Sequence, residues 1–394
     1  MAMDFGWSDR EQQFRAEVRE FVSSRWSGSQ TDDTEGDDTE AAQRTRRYEQ
    51  ALKERGWLTM AWPKEYGGLG APHFDQLIFA EESAAVGAPL GGQSVQMVGP
   101  LLMIHGTDEQ KLEHLPKISS GEVMWCQGFS EPGSGSDLAS LRTRAVRDGD
   151  EYVINGQKIW TSNARHADFI HVLTRTDPDA PKHRGITYFM LDMRTPGISV
   201  RPLVQMHGAA NFNETFFEDV RVPAGNMIGE ENRGWYAATT TLDFERSGVS
   251  RFANAKRVLD KLIDHAKEPD SRSPGVRIAD QPMARAALAE QYIETEIARY
   301  LSYRVAWMQS QSLVPNYEAS MSKVYGSEFQ QRTARMGINV LGLAGTLKPA
   351  SPHAKLEGAF CQMYMSSVAR TIGAGTSEIQ RNIIATRGLG LPRG

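Results

Sequence analysis

The sequence predicts a multidomain α+β protein, with a helical domain first, an antiparallel β domain in the middle and a domain of long, bundle-type helices at the end. Three observations support this fold class. Apolar residues recur with a helical period at both ends of the chain and alternate in the middle. Hairpin-type dipeptides punctuate the alternating part. A chain of 394 residues usually folds into more than one domain, each with its own hydrophobic core. We place the domains at residues 1–122, 123–231 and 232–394.

The first domain begins with an amphipathic helix. Ser8 is a favourable N-cap, and four apolar residues follow at helical spacings, namely Phe14, Val18, Phe21 and Val22. The acidic stretch Thr31–Glu40 contains no apolar residue and is predicted to be a solvated loop. A Gly- and Pro-rich loop at Trp62–Pro72 then leads into a long apolar helix through Leu77 and Phe79.

The middle domain is predicted from its turn residues. The dipeptides Asp148-Gly149 and Asn155-Gly156 both favour two-residue type I′ turns between antiparallel strands. Further strands are expected at Ile186–Leu191 and Glu214–Phe217. The pattern indicates hairpins rather than β-α-β units.

Two features of the middle domain are candidates for a binding site. The loop SEPGSGSD, residues 130–137, offers hydroxyls and flexible backbone to a phosphate or to the polar edge of a cofactor, but it also fits a plain surface turn. It lacks the third glycine of a dinucleotide fingerprint, because Leu138 stands there and no crossover helix follows. Trp160, at the end of the strand QKIWTS, fits either the core or a platform for a cofactor.

The last domain returns to long helices, with a break at Lys267–Pro282. Its first helix carries an apolar stripe formed by Trp235, Ala238, Leu242, Val249, Phe252 and Ala255. Glu245 falls on that stripe. A carboxylate that faces the inside of a helical domain is costly unless it is paired or functional. Glu245 is therefore either half of a structural ion pair or a general base whose pKa is raised by burial.

Composition and charge exclude several classes of function. The net charge of −5 and the pI near 6.0 give no electrostatic basis for binding nucleic acid or an anionic membrane. No apolar run is long enough to span a bilayer, and no secretory signal is visible at the N-terminus. The two cysteines, Cys126 and Cys361, cannot form a disulfide framework and suit a cytoplasmic location. The histidines show no metal-binding spacing, so no metal is expected.

The motifs of this chain, taken in order, resemble those of the acyl-CoA dehydrogenase family of flavoproteins over essentially the whole length. They are WPKEYGGLG, HGTDEQKLEHLPKISSGE, FSEPGSGSDLASL, NGQKIWTSN, LDFERSG and GAGTSEIQRNIIA. Each is weak singly, but the ordered set is highly specific. The resemblance implies the fold predicted above, with a four-helix bundle as its C-terminal domain. It also implies FAD as cofactor, an acyl-CoA substrate from lipid or fatty acid catabolism (beta-oxidation), and electron-transferring flavoprotein as electron acceptor. It also implies a tetramer, either a homotetramer or a heterotetramer.

The resemblance also assigns site residues. It implies a flavin site formed by Phe129, Ser130, Gly135, Ser136, Trp160 and Ser162. The flavin or adenosine part of FAD is expected to meet Thr376, Ser377 and Glu378. Contacts with CoA are implied for Ser136, Asp243 and Arg246. The chain departs where relatives carry an arginine near a Phe-Gly pair that reaches the FAD of a neighbouring subunit. Here the sequence is SRSPG, so a contact of Arg272 with FAD stays open.

The catalytic base is assigned by the same resemblance. Many members of the family carry the catalytic glutamate at the position of Ala374, whereas isovaleryl- and long-chain-type members carry it on the helix that reads LDFER here. Glu245 matches that alternative position. The resemblance thus implies that Glu245 removes the α proton, that the Ala374 N–H binds the thioester carbonyl, and that the product is a trans-2-enoyl-CoA.

Two alternatives to this function stay open. One is a non-catalytic partner subunit of a heterotetrameric α2β2 enzyme, against which the retention of Glu245 and Arg246 speaks. The other is an acyl-CoA oxidase, against which the chain length speaks.

The acyl pocket carries a further expectation. The segment Ser94–Gly106 resembles the family helix that lines the acyl chain, and it contains Gly99-Pro100 in mid-run. Glycine leaves space and proline interrupts the helical hydrogen bonds. The dipeptide therefore predicts either a wide cavity for a bulky acyl group or a kink between packed helices.

Overall fold

The computed structural model of the chain describes residues 6–27, 39–244, 249–269 and 275–392. These residues form two compact units. A helical unit comprises residues 6–27, 72–89, 249–269 and 275–392, and a sheet unit comprises residues 39–71 and 90–244. The first 122 residues therefore contribute helices to both units.

In chain order, the α-helices of the described residues are α1 (Asp9–Arg25), α2 (Thr39–Glu54), α3 (His73–Val86), α4 (Gly99–His105), α5 (Asp108–Ser119), α6 (Gly234–Phe244), α7 (Val249–Lys267), α8 (Pro282–Ser310), α9 (Tyr317–Leu341), α10 (Ala359–Ser367) and α11 (Ser377–Ile383). The strands are β1 (Trp125–Gly128), β2 (Arg144–Asp148), β3 (Glu151–Ser162), β4 (Phe169–Arg175), β5 (Ile186–Asp192), β6 (Ile198–Leu203) and β7 (Phe212–Pro223). No helix in the described ranges is both long and apolar enough to cross a bilayer. The same ranges contain no group of three or more acidic, His or Cys side chains that could hold a metal ion.

The predicted cap of the first helix is confirmed. The Ser8 side chain accepts the Glu11 N–H, and the Glu11 side chain accepts the Ser8 N–H, which is a complete capping box. The helix buries Val18, Phe21 and Val22. Residues 31–38 of the predicted acidic loop lie outside the described part of the chain, and α2 begins at Thr39.

The helical unit is built around long helices, as predicted. Helix α8 has 29 residues and α9 has 25. Helix α3 packs against α7 and α8, and α10 packs against α9. The last contact is close because Gly337 on α9 faces the ring of Phe360 on α10, where a Cβ would lie only 1.9 Å from Cδ1 of the ring. Phe252 and Phe329 are also buried in this unit.

The sheet unit contains one seven-stranded sheet with the strand order β1-β4-β2-β3-β7-β6, in which β5 pairs with β4. The pairs β2–β3, β3–β7, β4–β5 and β6–β7 are antiparallel. Strand β1, however, pairs with β4 in parallel, and β2 and β4 share a short parallel contact. The prediction of an antiparallel domain is therefore corrected to a mixed sheet. A parallel pair needs a long connection, and the residues between β1 and β4 provide it.

The two predicted hairpin turns have different outcomes. Strands β2 and β3 do form a hairpin, with Asp148 opposite Glu151 and Gly149 at a φ of 65°. The turn predicted at Asn155-Gly156 is wrong, because β3 continues through it with a β-bulge. The Asn155 side chain instead bonds across the sheet, and its Nδ2 donates to Asp219 Oδ1 at 3.0 Å. Long-range pairing thus overrides the local turn preference.

The other predicted strands are confirmed. Ile186–Leu191 lies within β5, and Glu214–Phe217 lies within β7. Strand β5 is buried along almost its whole length, which explains its run of apolar residues.

Candidate active site

The loop that follows β1, residues 129–137, is called the sheet loop below. Phe129 is buried, and its ring packs edge to face against His171 and Tyr188 at centroid distances of 5.7 Å. Its side chain therefore belongs to the core, and only its backbone is available to a ligand. Ser130 is half-buried, whereas Gly135 and Ser136 are exposed. A Cβ on Gly135 would meet nothing within 4 Å, so a ligand has room beside that backbone.

Trp160 is presented to solvent by an irregularity in β3. The register between β3 and β7 shifts between Lys158 and Thr161, and Trp160 takes a φ of 62° there. Its side chain is 57% exposed, which is unusual for a tryptophan in a sheet. The ring contacts Phe212 edge to face and leaves its face free within the described part of the unit. The strand then places Ser162, half-buried, two residues further along.

The same end of the sheet holds buried polar atoms that lack a hydrogen-bond partner within the described residues. Thr161 and Asn213 face each other across β3 and β7 and are fully buried. Thr161 Oγ1 and Asn213 Oδ1 have no hydrogen-bond partner in the described chain. Buried polar atoms are normally satisfied. These two atoms, together with the exposed face of Trp160, fit a polar, planar ligand at this end of the sheet.

A fully buried histidine, His171, packs against Phe129 of the sheet loop. His171 Nδ1 forms a hydrogen bond with the Tyr188 hydroxyl. Burial lowers the pKa of His171 to about 3, so the imidazole is neutral at physiological pH.

The loop before α11, residues 372–376, is called the terminal loop below. Ala374 is exposed and has a φ of 54°, which non-glycine residues rarely adopt. Its carbonyl accepts from Gln380 Nε2 at 3.1 Å. Its N–H has no acceptor among the described residues. The loop thus presents a free backbone donor and no carboxylate.

Thr376, Ser377 and Glu378 line a cleft of about 420 Å³. Thr376 caps α11 by accepting the Ile379 N–H at 3.2 Å. Ser377 lines the cleft and is buried, and its Oγ has no hydrogen-bond partner among the described residues. Glu378 is exposed, and hydrogen bonds from its own N–H and from Thr376 lower its pKa. A carboxylate that is stabilised in its charged form is a weak base.

Several predicted site residues lie outside what the structure describes. Glu245, Arg246 and Arg272 belong to residues that it leaves out, so their placement stays a prediction. Asp243 lies in the last turn of α6, but its side chain is not described. Of the predicted apolar stripe, Ala238 on α6 and Val249, Phe252 and Ala255 on α7 are buried, and its course through Glu245 stays a prediction.

The predicted acyl-lining segment is helical, with a change of helix type inside it. A π-helical turn, Ser94–Val98, leads directly into α4. A Cβ on Gly99 would lie 2.0 Å from Cζ2 of Trp62, so the indole already occupies the space that glycine leaves. Trp62 Nε1 donates to the Val95 carbonyl at 3.0 Å, and Pro100 has no N–H to offer it. Trp62 thus fills the space that Gly99 leaves, which argues against a wide cavity at that position, and the kink stays a prediction.

Models of the N-terminal, middle and C-terminal domains of acyl-CoA dehydrogenases match residues 8–122, 126–220 and 232–389 of the chain. The matches cover all but its ends and two short junctions. The chain belongs to the acyl-CoA dehydrogenase family. Members of this family are FAD-dependent flavoenzymes, and the protein is accordingly an FAD-dependent oxidoreductase.

Individual relatives agree with this assignment. The acyl-CoA dehydrogenase FadE26 of Mycobacterium tuberculosis is 41% identical over 344 residues, which are 86% of each chain. The solved structure named Tcur3481-Tcur3483 steroid ACAD is 36% identical, with a TM-score of 0.90 over 100% of both chains. The ChsE4-ChsE5 complex from Mycobacterium tuberculosis is 37% identical, with the same TM-score and coverage.

The residues of this acyl-CoA dehydrogenase fit FAD on structural grounds. In the sheet unit, the free face of Trp160 suits an aromatic ring system, and the partnerless oxygens of Thr161 and Asn213 suit its polar edge. In the helical unit, the cleft beside Ser377 is lined by Arg332, Arg335 and Arg381. Arg332 is paired with Glu294 and Arg381 with Glu328. Arginine is the side chain best suited to a diphosphate.

Sequence reasoning missed a buried ion pair that joins β3 to the sheet loop of this dehydrogenase. Lys158 is fully buried in β3 and pairs with Glu131 of the sheet loop at 2.8 Å. The alternation of β3 could have revealed Lys158 as a buried residue. Tyr152 and Ile154 point inward, and position 158 lies on the same side of the strand. A lysine at an inward position needs a buried anion.

Proposed function

We propose that this enzyme oxidises the Cα–Cβ bond of an acyl-CoA thioester to a trans-2-enoyl-CoA, with Glu245 as the catalytic base. The observation that supports this proposal is the geometry of Ala374. The terminal loop offers a free N–H at a left-handed residue but carries no carboxylate, and the nearby Glu378 is held in its charged form. A base must therefore come from elsewhere, and Glu245 occupies the alternative position known from the family resemblance.

The proposed chemistry divides two tasks between the two residues. The α proton of a thioester is too weakly acidic for a carboxylate alone. The Ala374 N–H donates to the thioester oxygen, where negative charge develops as the proton leaves, and one such donor is worth about 3–4 kcal/mol. The Glu245 carboxylate accepts the α proton. FAD, when bound, supplies the acceptor for the β-hydrogen as a hydride.

We assign the remaining contacts by the same resemblance. The backbone of Phe129 and Ser130, with Trp160 and Ser162, would hold the flavin, and Thr376, Ser377 and Glu378 would meet another part of FAD. Ser136, Asp243 and Arg246 would bind CoA. Exposure supports the assignment of Ser136, which is accessible in the sheet loop. Arg272 stays the least supported contact, because the motif around it departs from the family.

We further propose a bulky, ring-bearing acyl group as the substrate. Support comes from the relative named as a steroid ACAD, which is 36% identical over its whole length. The space beside Gly99 gives no support, because Trp62 fills it. A panel of acyl-CoAs, from short branched chains to sterol side-chain thioesters, should give its highest kcat/KM with the bulky thioesters, measured by bleaching of the flavin absorbance. A wide preference for straight short chains would contradict this proposal.

The base is tested by Glu245→Gln. The amide keeps the size of the side chain but cannot accept the proton, so flavin reduction by substrate should fall by about 10² or more. FAD content and thermal stability should change little. Glu230→Gln, a change of an exposed glutamate outside the site, is the matched control and should keep the wild-type rate.

The competing interpretation of Glu245 makes the opposite prediction. If it forms a structural ion pair, the amide leaves a cation unpaired and lowers the free energy of unfolding by about 3–5 kcal/mol, with less effect on the chemistry. Combining Glu245→Gly with Ala374→Glu returns a carboxylate to the terminal loop and should recover part of the rate. Near wild-type flavin reduction by Glu245→Gln would rule the assignment out.

A heterotetramer is a second candidate for the assembly, beside the homotetramer predicted from the family. Both solved structures described above are named as pairs of different proteins. Light scattering and flavin content of the chain purified alone distinguish the two. A yellow, active tetramer supports the homotetramer, whereas a colourless chain that gains flavin and activity with a second homologous chain supports the heterotetramer. We also propose a cytoplasmic location and electron-transferring flavoprotein as electron acceptor, which stopped-flow reoxidation can compare with O2.

A further inference from the structure

One buried ion pair lies beside the sheet loop. Lys158 is fully buried, and its Nζ donates to Glu131 Oε1 at 2.8 Å and to the Phe129 carbonyl at 3.1 Å. Glu131 Oε1 also accepts the Thr143 N–H at 2.8 Å, and Oε2 accepts the Arg142 N–H at 2.7 Å. The carboxylate is thus bound on both oxygens, as burial of a charge requires.

The pair joins two segments that are assigned to FAD. Lys158 holds the Phe129 carbonyl through its side chain, and the next residue, Ile159, donates its N–H to the Ser130 carbonyl at 2.9 Å. Both carbonyls at the beginning of the sheet loop are therefore fixed to β3. Trp160 follows directly in β3, at the irregularity that exposes its ring. Lys158 and Ile159 of β3 thus hold the beginning of the sheet loop, and the same strand positions the Trp160 ring directly after them.

Packing alone does not explain a lysine here. The lysine stem passes Gly128 of β1, where a Cβ would lie 3.4 Å from Lys158 Cγ and 3.0 Å from Ile170 Cδ1. A methionine would fill similar space without the cost of burying a charge. Burial lowers the pKa of Lys158 to about 8. Burial alone would raise the pKa of Glu131, but Lys158 and Thr143 outweigh it and lower that pKa. Both groups are therefore charged at neutral pH.

We propose that Lys158 and Glu131 are positioning residues that fix the sheet loop relative to Trp160 and thereby determine how well FAD fits this end of the sheet. The proposal rests on the assignment of FAD to these two segments. The two side chains are 0% and 9% exposed. They act through the backbone of Phe129, Ser130 and Trp160 and not by contact with a ligand.

The test separates stability from FAD binding. Lys158→Met removes the cation and the donor to Phe129, and the double variant Lys158→Met/Glu131→Gln removes both charges. Glu151→Gln is the matched control, because Glu151 forms an exposed pair with Arg221 at the start of the same strand. For each variant, circular dichroism gives Tm, and titration of the apoenzyme with FAD, followed by flavin fluorescence, gives the Kd.

We expect Lys158→Met to lower Tm and to raise the Kd for FAD about tenfold or more. The double variant should recover most of the Tm, because no charge is left unpaired. Its Kd should stay raised about tenfold, because the Phe129 carbonyl still lacks its donor. Glu131→Gln keeps an oxygen for Lys158 and should raise the Kd less than Lys158→Met does. Glu151→Gln should change the Kd less than about twofold.

A purely structural pair predicts a different result. If the double variant regains both the wild-type Tm and the wild-type Kd, or if Lys158→Met folds and binds FAD with the wild-type Kd, the proposal is wrong. If Lys158→Met does not fold, the neutral double variant and Glu131→Gln decide the question. Failure of the proposed base is seen separately, because Glu245→Gln is scored by the rate of flavin reduction and not by the Kd for FAD.

Discussion

The sheet loop and the terminal loop keep their residues in position by different physical means. In the sheet loop, side chains hold the backbone, since Lys158 and Glu131 bind carbonyl and N–H groups on both sides of the turn. In the terminal loop, the backbone itself takes left-handed conformations, with φ values of 54° at Ala374 and 81° at Gly375. Gln380 then bonds the Ala374 carbonyl.

This difference determines which substitutions each loop tolerates. A loop held by side chains is sensitive to the loss of a charge or a donor, even at a distance from the ligand. A loop that works through its backbone is indifferent to the identity of a small side chain and sensitive to anything that changes φ or removes an N–H. An alanine at position 374 can serve the proposed backbone role in a loop of the second kind.

The largest effect is expected from Ala374→Pro. Proline fixes φ near −65° and has no N–H, so the loop can neither keep its conformation nor donate to the thioester. We expect the rate of flavin reduction to fall about 10²–10³-fold, as for loss of one oxyanion donor. Stopped-flow reduction with substrate in excess measures it. A rate within about threefold of wild type would show that the Ala374 N–H has no part in the chemistry.

In the sheet, the counterpart is Gly156→Ala. Gly156 has a φ of 151°, and a Cβ there would lie 2.7 Å from the Thr143 Cα and Oγ1. Because that backbone cannot move without disturbing the Glu131 contacts, we expect the free energy of unfolding to fall by about 2–3 kcal/mol. Gly133→Ala is the control, since a Cβ there meets nothing within 4 Å. Urea unfolding of both variants measures the difference in the free energy of unfolding. Equal values for the two variants would contradict the claim that the Thr143 backbone cannot move to accept a Cβ at position 156.

A third prediction concerns pH. The folded chain keeps His171 neutral down to a pKa of about 3, whereas an unfolded histidine titrates near 6.5. Below pH 6.5 the unfolded chain therefore binds more protons, and the free energy of unfolding falls with falling pH by up to about 1.4 kcal/mol per unit. His171→Gln can still form a hydrogen bond with Tyr188. It should reduce this slope by the contribution of one proton, up to about 1.4 kcal/mol per pH unit. His183→Gln, at an exposed position, is the control.

Urea unfolding at pH 7, 6 and 5 provides the slopes for this comparison. If wild type and His171→Gln show the same slope between pH 5 and 7, His171 is not the buried neutral group that the sheet packing indicates.

The sequence predicted those parts of the molecule that depend on local patterns. The capping box of Ser8 and Glu11, the helical periods and the hairpin at Gly149 are all local, and all are present. The ordered motifs also identified the family. The turn at Asn155-Gly156 was wrong, because a partner on β7 decides the conformation there.

Long-range contacts explain the other differences. Gly99 leaves space that only the folded chain shows to be filled by Trp62. Lys158 stands at an inward position of an alternating strand, but its anion, Glu131, lies 27 residues earlier and cannot be paired with it by period. The positive φ of Trp160 arises from the register shift with β7. Each of these features depends on two segments meeting, which spacing within one segment does not encode.

The smallest effect is expected from Ala374→Gly, and it is the sharpest test of the difference between the two loops. An alanine in the left-handed region costs about 1 kcal/mol more than a glycine, which has no Cβ to clash with the carbonyl that follows. Glycine also makes the unfolded chain more flexible, which opposes this gain. We therefore expect the free energy of unfolding to rise by less than about 1 kcal/mol. Since glycine keeps the N–H, flavin reduction should stay within about twofold of the wild-type rate. Neither Ala374→Gly nor Ala374→Pro has a functional side chain. Glycine keeps the N–H and can keep the left-handed φ, whereas proline loses both. A large rate loss in Ala374→Gly would mean that the methyl group of Ala374 contacts the substrate, and the backbone role of the terminal loop would have to be abandoned.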